Sequence, residues 1–134
     1  MKRKRIVIIS IVLLALFAAA LFMRGMYVSI EANLKALSGM AIAQIDFNQV
    51  ANGTFTGSYT VFPVSAKVSV TVKDHKVTAI ELLEHKNGQG TKAEAIPDRV
   101  LSAQSLQVDS VAGATYSSKV ILKAIENALL TGSR

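Results

Sequence analysis

The stretch from Asp109 to Ser118, DSVAGATYSS, sets three small residues, a threonine and two serines directly before a strongly patterned apolar run. The first turn of a helix carries backbone N–H groups without partners and the positive end of the helix dipole, and both favour an anion such as a phosphate. Ala112, Gly113 and Ala114 keep bulk away, so a ligand can approach the backbone closely. Ser117 or Ser118 can cap the helix or donate to phosphate oxygens, and Thr115 then stands where the phosphate would lie. The same residues also suit a plain turn with a serine cap, so the pattern alone leaves both readings open.

The elements that would position this stretch follow from periodicity. Val120, Ile121, Ala124, Ile125, Ala128 and Leu129 fall on one stripe of a helix expected from about Ser117 to Leu130. Val64, Ala66, Val68, Val70 and Val72 alternate with Ser65, Lys67, Ser69 and Thr71, the period of a half-buried strand. KDHK then turns the chain through Asp74 and His75 into a partner strand, VTAIELLEH. Asn52-Gly53 introduces a further strand, TFTGSYT, with Phe55, Gly57 and Tyr59 on one face. HKNGQGTK reads as a surface loop, and AEAIPDRVLSAQ as helical, with Pro97 starting a helix at Asp98 or breaking a longer one. The expected fold is α+β, a small antiparallel sheet packed by C-terminal helices and preceded by one N-terminal transmembrane helix.

That last helix is expected from residues 6–23, which contain no charge and would rise about 27 Å, close to the roughly 30 Å of a bilayer core. Lys2, Arg3, Lys4 and Arg5 precede it and only Arg24 follows closely, so the positive-inside bias puts the N-terminus in the cytoplasm and the rest outside. A cleaved signal peptide has similar ingredients, but the apolar run exceeds the usual ~7–15 residues, which favours an anchor. Tyr27, Ile30, Leu34 and Leu37 continue a helical spacing up to Ser38-Gly39. The expected organisation is therefore residues 1–24 as basic start and anchor, 25–51 as helical stalk or linker, and 52–134 as the working domain.

Composition removes several classes of function. The net charge of +6 resides mostly in the N-terminal segment, and residues 25–134 hold ten basic and nine acidic groups, so no nucleic-acid footprint is expected. Without cysteine there is no disulfide, thiol nucleophile or thiolate metal site. His75 and His85 are the only histidines and lie ten apart, unlike any usual metal-ligand spacing.

Asp109 to Ser118 resembles the flavinylation motif of the FMN-binding domain family, which also occurs in flavin subunits of the sodium-pumping NADH:quinone reductase and of the ferredoxin:NAD reductase complex. The family pattern is roughly Asp-x-x-Ser-Gly-Ala-Thr-x-Ser/Thr-Ser. Asp109, Gly113, Ala114, Thr115, Ser117 and Ser118 match it, whereas Ala112 stands where serine is usual. The resemblance covers residues 52–130 through NGTFTGSY, VSVTVKDHKVTAIELLEHKNGQG and AIPDRVLSAQSLQVDSVAGATYSSKVILKAIENAL. It implies that the Thr115 hydroxyl is esterified to the phosphate of FMN by a separate flavin transferase that uses FAD. It also implies that the loop of His85, Asn87 and Gly90 lies near the flavin. Tyr116, Phe55 and Tyr59 are candidates to lie against the ring, with ordinary core packing as the alternative.

The expected function is a membrane-anchored, extracytoplasmic electron carrier. It would take electrons from a membrane donor and pass them to a downstream redox acceptor, without turning over a substrate alone. A module binding flavin or another phosphate-bearing ligand noncovalently is the alternative. A pilin-like subunit is a further one, but its processing pattern calls for a Gly before the apolar helix and a Glu early within it, and KRKRIVIIS has neither.

Overall fold

The computed structural model describes residues 2–133. Helix α1 spans Lys2–Ser38, and the chain divides into one compact unit up to Ala32 and another from Asn33. In the first unit an eighteen-residue window has a mean hydropathy of 3.1 and none of it is buried. This helix is long and apolar enough to cross a membrane. Ser10 and Ser29 donate their hydroxyl protons to Ile6 O and Gly25 O, which satisfies both groups without water.

In the second unit strands β1 (Gly53–Val61), β2 (Val64–Lys73) and β3 (Lys76–Lys86) form an antiparallel sheet in the order β1-β2-β3. The alternation in β2 is realised directly: its five apolar residues are buried and the intervening ones are not. Asp74 and His75, with φ of 50° and 62°, make the β2–β3 turn, and positive φ at both central residues matches the twist of a two-residue hairpin. The chain then passes through a short 3-10 segment, Thr91–Ala95, into helix α2 (Ile96–Ala103), with Pro97 in its first turn. Proline is tolerated there because no intrahelical bond is lost. Gln104 ends α2 with φ 48°, and its side-chain amide bonds both the N–H and the C=O of Val77 at 3.0 and 2.8 Å.

Helix α3 (Thr115–Gly132) packs its apolar stripe on β1 and β2. The approach is closest at Gly57, where a Cβ would fall on the backbone of Ala124 and Ala128. The stretch expected to be stalk or linker contributes to this core, for Leu37 and Val50 are almost fully buried and Phe47 nearly so. Residues 39–46 have no regular structure of their own. They are held by side chains: Lys119 donates to Met40 O, Gln107 donates to Ile42 O, and the buried Glu126 accepts from Ala43 N–H. Lys123 pairs with the same Glu126 at 2.6 Å, so its charge is compensated.

Candidate functional site

Val111 to Ala114 form a β-turn closed by Ala114 N–H donating to Val111 O at 2.9 Å. Gly113, the third residue, has φ +78°, as a type II turn demands at that position. Ser118 braces both ends of the turn. Its hydroxyl accepts from Val111 N–H at 3.0 Å and donates to Ala114 O at 2.8 Å, and the side chain is fully buried. Helix α3 begins at Thr115, two residues before the position expected from its apolar stripe. Thr115 thus belongs to the first turn.

Neither serine caps the helix, one of the two roles open to them. Ala114 is the N-cap and supplies no side-chain hydrogen bond, so the N–H groups of the first turn point outward without a capping oxygen. Ser117 and Ser118 lie within the helix, where Ser118 has its one proton committed to Ala114 O. Among the described residues the hydroxyls of Thr115 and Ser117 have no protein partner closing them off, and Thr115 is exposed.

A cavity of about 510 Å³ opens over this helix start. Such a volume falls in the ~300–1,000 Å³ range of small-molecule sites. From α3 and its turn it is lined by Gly113 to Ser117, and from the loop after β3 by Gly88, Gln89 and Gly90. Pro63 and Val64 at the β1–β2 turn add apolar surface, and Leu34 and Ser38 of α1 complete the lining. The glycine loop sits tightly on the helix, because a Cβ at Gly90 would strike the Ser117 side chain. A comparable cavity of about 540 Å³ lies beside the β1–β2 turn among Ser58, Lys67, Glu84 and Lys86, with no helix start in its lining.

His85, Asp109, Ala112 and Ser118 are not in the lining of the first cavity. Asp109 lines a different depression beside α2, and its carbonyl accepts from Arg99 Nη1 at 2.9 Å. Ala112 is the exposed second residue of the turn. His85 supports the glycine loop indirectly. Asn87 Oδ1 accepts from Gly90 N–H at 2.9 Å, which leaves Asn87 Nδ2 at 3.2 Å from His85 Nδ1. Glu94 Oε1 lies 3.1 Å from that same nitrogen. Asn87 needs a lone pair there and Glu94 needs a proton, so a neutral imidazole can bond only one of them. The side chain of His85 is 2% exposed, and its Nε2 is buried without a protein partner.

Of the aromatic candidates, Tyr116 alone lines the cavity. Phe55 packs against Gly132 near the other end of α3, and Tyr59 donates to Met40 Sδ at 3.4 Å. Leu34 and Ser38, which the sequence offered only as stalk or linker, and Pro63 are lining residues that the sequence did not assign to the site.

The assembled site suits a ligand with an anionic end and a flat apolar body. The uncapped start of α3 can hold the anion, the Ser117 hydroxyl can donate to it, and Leu34, Pro63, Val64 and Tyr116 offer surface to a ring. A cradle that any side chain at Gly90 would obstruct fits a group lying close to the backbone. A family model described as FMN-binding domain matches residues 64–130, half of the chain. The comparison with curated proteins gives no match.

Proposed function

The chain belongs to the FMN-binding domain family, and from that membership we propose that it is a membrane-anchored, extracytoplasmic electron carrier with FMN esterified through its phosphate to Thr115. One observation carries the reading: Thr115 presents an exposed hydroxyl, without a protein partner among the described residues, at an uncapped helix start on the rim of a suitably sized cavity. FMN supplies the one- and two-electron chemistry when bound.

The residues divide the remaining work. Thr115 Oγ1 gives up its proton and bonds to the FMN-side phosphorus of FAD, with AMP leaving from the broken diphosphate, in a step catalysed by a separate flavin transferase. The first-turn N–H groups and the Ser117 hydroxyl would then donate hydrogen bonds to the phosphate oxygens. Ser118 and Gly113 hold the turn in shape, and the glycine loop shields one side. A covalent tether keeps the cofactor at high effective concentration where a dissociated one would be diluted away. The carrier relays electrons from a membrane donor to a downstream acceptor.

The uncapped helix start also supports a second reading, noncovalent binding of FMN or another phosphate-bearing ligand. Production of the full chain with a flavin transferase separates the two. The ester predicts an intact mass raised by one FMN residue and flavin fluorescence that survives denaturing electrophoresis, both lost in Thr115→Ala with the fold retained. An unmodified mass, with the transferase active on a control, excludes the ester.

A further inference from the structure

Resting on the FMN reading, we propose that the last turn of α1, through Leu34 and Ser38, is a wall of the flavin site and sets the environment of the isoalloxazine ring. Both residues line the same cavity as Thr115. They are four apart, hence neighbours on one helix face. Both also lie outside residues 64–130, the stretch that the family model matches.

The wall is preorganised. Leu37, on the adjoining face, is fully buried in the domain core and fixes the rotation of this part of the helix. Directly after it, Met40 O accepts from Lys119 at 3.0 Å, Met40 Sδ accepts from Tyr59, and Ala43 N–H donates to the buried Glu126. Three contacts from the domain thus pin the chain within nine residues of Leu34. Leu34 itself is only partly buried, packing against the core while lining the cavity.

The chemistry of the lining agrees. The start of α3 is polar and suits the phosphate, so the planar ring must find apolar surface elsewhere, and Leu34, Pro63, Val64 and Tyr116 are what the cavity provides. Ser38 donates its hydroxyl proton to Lys35 O at 2.8 Å, which leaves its oxygen able to accept from an imide N–H such as that of the ring.

The test uses the full chain in detergent, loaded by the transferase and checked by intact mass. Iodide quenching of the flavin is compared in wild type, Leu34→Ala, Leu34→Ser and Leu34→Met, with thermal unfolding as the fold control. Because such sites cover most of a ligand's surface, loss of a wall should raise the quenching constant about twofold or more in Leu34→Ala and Leu34→Ser. Leu34→Met, of similar volume, should keep the wild-type value. Equal quenching in all four FMN-bearing proteins overturns the inference. If the wild type carries no FMN by mass, it is the ester at Thr115 that fails. Titration with free FMN then decides the wall: a raised Kd in Leu34→Ala supports it, and an unchanged Kd overturns it.

Discussion

Ser117 and Ser118 are adjacent in sequence and opposite in role. Ser118 is fully buried with its hydroxyl bonded at both ends of the Val111–Ala114 turn, whereas Ser117 lines the cavity without a protein hydrogen bond. Removing the Ser118 hydroxyl leaves Val111 N–H without its partner, while Ala114 O keeps the backbone N–H of residue 118, so Ser118→Ala should cost about 1–3 kcal/mol. Ser117→Ala deletes a buried hydroxyl that makes no protein hydrogen bond and loses only its packing under Gly90, so it should cost less, under about 1 kcal/mol. Urea unfolding followed by tyrosine fluorescence measures the pair, and equal losses would refute the division of roles. This division was not legible in the sequence, because it depends on where the helix begins. Thr115, Gly113 and Ala114 could be grouped in advance because they are contiguous. His85 was expected near the flavin, but its bonding to Asn87 and Glu94 could not be foreseen, since these meet it only after the loop folds back.

At the level of elements, β2 was the easiest to read, since alternation over nine residues leaves one register that buries every valine. The stripe of α3 was equally plain, but its first turn carries Thr115, Tyr116 and Ser117, which add no apolar phase, so the start was set two residues late. The segment 39–46 shows no helix or strand period, because it is held by hydrogen bonds with Lys119, Gln107 and Glu126 and by Met40, Ile42 and Ile45 packing irregularly against the core. Gly57 was legible only as a member of a strand face. In the fold it lets the α3 backbone lie directly on β1. Gly57→Ala places a methyl group against Ala124 O and Ala128 N, atoms that cannot rotate away, and should destabilise by about 1–3 kcal/mol or more. A shift in thermal midpoint reports it, and an unchanged midpoint would mean that α3 can lift from the sheet freely.

For the whole molecule, the apolar helix and the small domain make separate demands. The first unit offers a span with basic residues at its start, and the unit from Asn33 has its own core. The proposed orientation puts the domain outside the cytoplasm. Because the chain lacks cysteine, a single introduced thiol reports sidedness cleanly. Ser102→Cys, at an exposed position of α2, should react with a membrane-impermeant maleimide in intact cells, and Lys4→Cys only after permeabilisation. The reverse pattern would invert the topology. At this scale the long apolar helix was legible, because hydropathy needs no tertiary contacts to be read, whereas the start of the compact unit at Asn33 was not.

The Gln104 amide occupies both hydrogen-bonding groups of Val77 on β3. An open strand border of that kind is otherwise a template on which a neighbouring copy can polymerise. By plugging one end of that border with its own side chain, the protein denies an incoming strand the backbone pairing it would need there.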